Sequence, residues 1–421
     1  KNLVEIILSN NGYEVVNLGI KVPPETLIQA VREHEPDAIG LSGLLVKSAQ
    51  QMVVTAEDLH EAGIDLPMLV GGAALSARFT RTRIAPAYRA PTLYAKDAMD
   101  GLGILNRVRV EGADAEVARQ DEALAGKTTA KPKKELAPET TERSANVRLD
   151  VAMPVPPDLE RHEARYEDLD TVWSYVNPAM LYGRHLGYRG RFERGLREGD
   201  PKLLKLIEQV DAVKAECRDG LMKIRAVWQW FEVEPDGNEI VVFEHGEPRT
   251  RLRFPRQRRE NGICLSDYVL PPRDGRRDTM GLFVTTAGEG IMVAATEAKE
   301  AGEYVRSHAL QALALETAEG AAEMVHQGMR AAWGFPDPVD ITPAQIYKAD
   351  YQGKRYSFGY PACPDLAGQR PLFDLLRPQS IGVQLTEGDM MDPEASVSAL
   401  VFHHPDAKYY AVEVEEEPAS A

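Results

Sequence analysis

Cysteine is nearly absent: Cys217, Cys264 and Cys363 are the three in 421 residues, odd in number and far apart. That excludes a disulfide framework, leaves no CxxC pair to hold zinc, and fits a reducing cytoplasm. Positive charge is also short. Lysines and arginines number 49 against 65 acids, a net charge of −16, which argues against a nucleic-acid partner because phosphate neutralisation needs clustered cations. No apolar run approaches the roughly 20 residues of a membrane span. The opening Lys1-Asn2-Leu3-Val4-Glu5 carries an amide and an acid too early for a secretory signal. There is no GxGxG at an early strand end and no internal repeat. What is present, 43% hydrophobic and 27% charged residues, is globular composition, and the length predicts two or three domains.

Residues 1–107 read as alternating helices and strands. Leu3, Val4, Ile7 and Leu8 give Lys1 to Asn11 a helical spacing, and Val15 to Gly19 reads as a short strand. Pro24 to His34 and Ser48 to Glu61 have helical period. Asp37 to Ser42, Leu66 to Val70 and Pro91 to Tyr94 are short apolar strands. Such strands separated by helices predict a parallel, doubly wound α/β sheet of flavodoxin-like type. A doubly wound unit opens on a strand whereas this sequence opens on a helix, so the chain is expected to be a fragment. Residues 108–147 are polar and Pro-containing, which is linker composition, although Ala113 to Leu124 could form a short helix. Residues 148–421 read as an α+β domain round an antiparallel sheet. Ile224 to Phe231 and Ile240 to Phe243 are strands joined by Pro235-Asp236-Gly237-Asn238, a hairpin signal. Pro201 to Cys217 and Ala301 to Trp333 have helical period, and Val397 to Phe402 and Tyr409 to Val412 read as late strands. The acidic stretch Glu413 to Glu417 reads as a solvated end.

Parallel sheets bind ligands at the carboxyl ends of their strands. Ser42-Gly43-Leu44 and Gly71-Gly72-Ala73 close two of them here. Small residues at such ends leave a slot for a flat or extended ligand, with Ser42 supplying a hydroxyl. Taken singly, each motif is also an ordinary βα turn. Their spacing says more: 41 residues precede Ser42 and 26 separate Leu44 from Gly71. With Lys1-Asn2, Pro67 to Ala73 and Pro91 to Tyr94, these gaps resemble the cobalamin-binding domain of methionine synthases and adenosylcobalamin mutases, patterned DxHxxG, SxL and GG. The resemblance implies that Ser42, Leu44, Val46, Gly71, Gly72 and Ala98 line the cobalamin tail. Val46 stands where a threonine is frequent, and Ala98 would meet the tail through its backbone. The cobalt-ligating histidine of DxHxxG would precede Lys1, so no metal ligand is assigned; His34 and His60 lie on predicted exposed helix faces.

The most informative segment is Arg355 to Asp365, RYSFGYPACPD. An arginine can grip a carboxylate with two parallel hydrogen bonds. Gly359 admits a ligand close to the backbone, and Pro361 and Pro364 stiffen the loop. As bare composition, it is a surface loop round a buried thiol. It resembles the RPxxGYPACPD signature of the adenosylmethionine-binding reactivation domain of methionine synthases. That resemblance runs from the linker onward and is strongest here and at Ser396 to Val412. It implies that Arg355 binds the carboxylate of adenosylmethionine. Tyr360, facing the corrin, and Glu319, near the sulfonium or the reactivation water, become the catalytic candidates. Tyr409 and Tyr410 would lie beside the adenosyl part, where aromatic faces favour a cation. Asn177 replaces an aspartate that binds the ligand amine and should accept that hydrogen bond more weakly. Ala349 stands where some members carry a glutamate. From residue type alone, Tyr409-Tyr410 reads as cross-strand packing and Glu319 as a solvated helix acid.

Together the resemblances imply the C-terminal portion of a cobalamin-dependent methyltransferase. It would carry methylcobalamin for methyl transfer from methyltetrahydrofolate to homocysteine. Oxidised cobalamin would be restored by reductive methylation with S-adenosylmethionine, an electron coming from flavodoxin or a related reductase. The folate, homocysteine and cap domains, and the zinc of the homocysteine domain, fall outside this sequence. A cytoplasmic monomer without nucleic-acid or membrane partners is expected. A corrinoid carrier or repair module without turnover stays open as a reading. A stand-alone adenosylmethionine methyltransferase would want the missing GxGxG, and a receiver domain would want an acidic phosphorylation pocket.

Overall fold

The computed structural model describes residues 2–9, 11–19, 22–43, 46–72, 75–127, 137–386 and 388–412. The chain divides into two compact units, Lys1–Glu135 and Leu136–Ala421. In the first, apolar runs too short for helices form three parallel strands: β1 (Ile39–Ser42), β2 (Met68–Gly71) and β3 (Thr92–Ala95), in that order across the sheet. Ser42 lies opposite Gly71, and Gly71 opposite Ala95, so the three carboxyl ends finish in one row. The helix Val46–Glu61 presents Met52, Ala56 and Leu59 to Ile39, Met68 and Val70, the i, i+4, i+7 stripe of an amphipathic helix.

Two expectations fail in this unit for physical reasons. Val15 to Gly19 forms no strand. A strand exists only with a ladder partner, and none is present among the described residues; Asn17 instead hydrogen-bonds back to Glu5. The linker expected over 108–147 is helical up to Lys127, as the helical option at Ala113 to Leu124 allowed. The helix Ala98–Glu111 runs past residue 107, and Ala113–Lys127 is a further helix of the same unit. Apart from Val117, which packs on Leu93, Ala95 and Ile104, its anchors are polar, which is why its composition reads as tether. Arg107 donates twice to the buried Glu116 carboxylate (2.8 Å each), holding it below the usual carboxylate range. Gln120 spans Tyr94, accepting from its N–H (3.0 Å) and donating to its carbonyl (3.2 Å) along the outer edge of β3. Residues 128–136 and the acidic Glu413 to Glu417 lie outside the described residues. From residue 137 the chain packs on the second unit: Ala137 exchanges hydrogen bonds with Arg258, Asn238 donates to Thr140 (3.0 Å), and Val147 is in the core.

The second unit is built on a seven-stranded antiparallel sheet. Its strands are β4 (His162–Tyr166), β5 (Ile224–Asp236), β6 (Glu239–Glu244), β7 (Glu247–Arg253), β8 (Asp278–Thr286), β9 (Lys354–Tyr356) and, after a small ribbon of β10 (Gln384–Leu385) with β11 (Met391–Asp392), β12 (Ser396–Phe402). The order is β7-β6-β5-β8-β12-β9, with β4 also on β5. Gly237, at φ +60°, and Asn238 form the two-residue turn between β5 and β6, as the hairpin signal requires. Alternate residues of the central strands serve opposite layers. Phe283, Ala399 and Val401 face the long helix Tyr304–Ala332, whereas Leu282, Val284, Leu400 and Phe402 face a second core with Leu372 and Leu376. Ala309, Ala312, Ala318, Ala321 and Ala322 let the long helix lie close to the sheet. Beneath the hairpin, Arg256 and Asp267 form a bidentate pair (2.6 and 2.8 Å) with side chains 2% and 1% exposed. Among the described residues no helix is long and apolar enough to cross a membrane.

Arg148 ties its own segment to the chain after β12. Its guanidinium pairs with Asp406 (2.7 Å) and its N–H donates to the same carboxylate (3.1 Å), pulling the Asp406 carboxyl down to about 2. A depressed folded value means that the stabilisation is complete above the unfolded value, about 3.9, and is lost as pH falls through about 2. Arg148→Ala is expected to flatten the stability-versus-pH curve between about pH 5 and about pH 2. Urea midpoints that decline in parallel in variant and parent would contradict this.

Candidate functional site

Arg355 sits on the edge strand β9, opposite Val401 of β12. There its guanidinium meets the long helix, where Glu319 and Glu323 share a face one turn apart. Arg355 Nη2 donates to Glu319 Oε2 at 3.0 Å, and Nε lies 3.7 Å from Glu323 Oε2. The three side chains are 17%, 42% and 11% exposed in the order Arg355, Glu319, Glu323, so the site opens on the Glu319 side. Burial works against the guanidinium charge, but the two carboxylates outweigh it and hold its pKa above the ordinary arginine value. Behind them, Glu323 Oε2 accepts from Tyr351 Oη (3.1 Å). The fully buried Arg330 donates to Asp337 at 2.9 and 2.6 Å, stacks 3.7 Å over the Tyr351 ring and comes within 3.6 Å of Glu323 Oε1. Sequence reasoning passed over Glu323, Tyr351, Arg330 and Asp337. Two acids four apart on an alanine-rich helix were the available signal.

The loop after β9 is held by its own backbone. Gly359 lies at φ +87°, and a Cβ there would meet Leu366 at 2.9 Å. Gly359 N–H donates to Cys363 and Cys363 N–H to Tyr360 (2.9 and 3.0 Å), which turns Tyr360 out to solvent. The negative charge of Glu319 raises the Tyr360 phenol above its ordinary value. Cys363 donates its thiol to Ser357 O (3.0 Å), and burial pushes it up to about 12. A protonated, buried thiol is a packing group rather than a nucleophile.

Tyr409 to Val412, expected as a strand, joins no ladder. It is held instead by Val412 N–H on Pro361 O (2.9 Å) and by Gln257 on Ala411 O (2.8 Å). Tyr409 is exposed, edge-on to Tyr356 of β9 with ring centroids 5.5 Å apart. Tyr410 packs against the second core, and its buried Oη has no hydrogen-bond partner among the described residues. The pair is therefore split, one ring open to solvent and the other packed on the core. Asn177 Oδ1 accepts from Ala179 N–H (3.0 Å) and so caps the turn that follows. Its segment packs on the long helix at Gly320, where a Cβ would meet Val172 O at 3.0 Å. Ala349 occupies the left-handed region at φ +53°.

In the first unit Ser42 is exposed at the end of the row. The glycines do not leave the open slot that their size suggests. A Cβ at Gly71 would lie 2.8 Å from Ala95 O, and one at Gly72 (φ +122°) 2.0 Å from Gly43 O, so both bring neighbouring backbones together. Leu44 lies outside the described residues, as does the side chain of Val46. Ala98, half-buried, opens a helix capped by Asp97, whose carboxylate accepts from Asp100 N–H (2.9 Å).

A family model described as "Vitamin B12 dependent methionine synthase, activation domain" matches residues 201–418, and one described as "B12 binding domain" matches residues 1–102. The chain is 31% identical to the methionine synthase of Mycobacterium tuberculosis over 458 residues, 98% of this chain and 38% of that one. With the methionine synthase of Mycobacterium leprae it shares 30% identity over 459 residues, 98% of this chain and 37% of that one. It thus spans less than two fifths of the curated relatives it matches. A solved MetH reactivation domain bound to AdoHcy is similar at a TM-score of 0.59 and 26% identity, covering 62% of this chain and 83% of that one. The parallel-sheet unit, the antiparallel unit and the Arg355 loop thereby find one common explanation: the chain belongs to the vitamin B12 dependent methionine synthase activation domain family, with a B12 binding domain ahead of the activation domain.

Proposed function

We propose that the first unit holds cobalamin and that the second binds S-adenosylmethionine to return oxidised cobalamin to its methylated form. In this reading the chain serves methyl transfer from methyltetrahydrofolate to homocysteine. The observation that carries it is Arg355, held between two acids on the strand that leads into the turn exposing Tyr360. Arg355 takes the ligand carboxylate. Glu319 and the Tyr409 face stabilise the cationic sulfonium, and Asn177 accepts from the amine through its remaining lone pair. Tyr360, exposed on a tight turn, is the phenol offered to the cofactor.

In this reading the cofactor tail runs over the strand ends rather than between the glycines, whose backbones close on their neighbours. The Ser42 hydroxyl is exposed there, and glycine at 71 and 72 keeps side chains off the row; Ala98 adds backbone only. When bound, cobalamin supplies the cobalt centre that accepts the methyl group, and a reductase such as flavodoxin supplies the electron. Support for the ligand class comes from the similar solved domain, which carries AdoHcy. Calorimetric titration of the full chain with S-adenosylhomocysteine is expected to give one binding event per chain. A titration with no heat and no shift in thermal unfolding would overturn the assignment of the second unit.

A further inference from the structure

We infer that Glu323, backed by Tyr351 and by the Arg330–Asp337 pair, is the fixed partner that aims the Arg355 guanidinium at a ligand carboxylate, while Glu319 is its exchangeable partner. The inference rests on the reading above and assigns different work to two acids that look alike in sequence. Glu323 is 11% exposed and closed in by Tyr351 Oη at 3.1 Å and Arg330 Nη2 at 3.6 Å. Arg330 cannot move to release it, being fully buried, doubly bonded to Asp337 and stacked on the Tyr351 ring. Charge alternates along this line from Asp337 through Arg330 and Glu323 to Arg355. Glu319 stands at the open end with 42% exposure and a single hydrogen bond to Arg355.

An incoming ligand carries an ammonium and a sulfonium as well as a carboxylate. Glu319 can turn to those cations and free Nη2, while Glu323 keeps the guanidinium in place. Ordering a long arginine before the ligand arrives lowers the entropy cost of binding, so Glu323 acts as a positioning residue. Its effect is felt only by ligands that use Arg355.

The test compares S-adenosylmethionine with its decarboxylated analogue, which keeps the adenosine, sulfonium and amine and lacks only the carboxylate. In the full chain, Glu323→Gln keeps the size and an acceptor for Tyr351 but removes the charge. It is expected to lower affinity for S-adenosylmethionine on the order of ten-fold and to leave the analogue unchanged. Combined with Arg355→Ala it should add almost nothing, the mark of two residues acting as one. Tyr351→Phe removes a single hydroxyl and serves if Glu323→Gln folds poorly; it should show the same selectivity with a smaller loss. Equal losses for both ligands, or parental affinity for S-adenosylmethionine in both variants, would overturn the inference and leave the proposed ligand standing. A parent chain that binds neither compound would overturn both.

Discussion

Arg355→Ala should weaken S-adenosylmethionine binding by about 30-fold or more, from the roughly 2–5 kcal/mol lost when one partner of a buried, hydrogen-bonded charge pair is truncated. The geometry points to the upper part of that range. Removing the guanidinium takes away the fork and leaves Glu319 and Glu323 as the nearest charges, which repel a carboxylate. Arg355→Lys should recover part of the loss, since an ammonium restores the charge but cannot make two parallel hydrogen bonds. Calorimetry on parent and variants decides the matter, with thermal unfolding as the control for folding. Unchanged affinity in Arg355→Ala would mean that the carboxylate is held elsewhere.

The largest stability effect is expected from Asp267→Ala. Arg256 and Asp267 are both sealed from water, and Arg256 also donates to Asn238 Oδ1 (2.8 Å) and Gly262 O (2.9 Å). Asp267 in turn accepts from Cys264 N–H at 2.9 Å. Deleting the carboxylate strands a buried guanidinium and an amide, which typically costs about 3–5 kcal/mol. Asp267→Asn should lose less, because its amide oxygen can still accept from Cys264. Urea unfolding of the second unit is the measurement. A loss below about 1 kcal/mol, the scale of exposed ion pairs, would show that water reaches the pair.

What the sequence made legible were features whose cause is local. The β5–β6 hairpin is written in Gly237 and Asn238, and the long helix in its period. The row of strand ends follows from small residues placed after apolar runs. Arg355 and its loop were legible because their residue types are unusual together. What stayed hidden depends on partners distant in sequence. Val15 to Gly19 has the residues of a strand but no neighbour among the described residues with which to make a ladder. A short helix over Ala113 to Leu124 was open to the sequence, but its docking was not: Val117 and Leu124 are its large apolar residues, and Glu116 and Gln120 look solvated until Arg107 and Tyr94 are seen beside them. Adjacent tyrosines could not be assigned to opposite sides without knowing which side held the core. Arg330, Asp337 and Tyr351 converge behind Glu323 only in three dimensions.

The Gln120 side chain has a consequence beyond the fold of its own unit. An uncovered outer strand offers its free N–H and carbonyl groups to any other chain, and copies stacked through such edges aggregate. By occupying both groups of Tyr94, the helix Ala113–Lys127 blunts that invitation. Its work is colloidal: it keeps one molecule from taking the rim of another as its next strand.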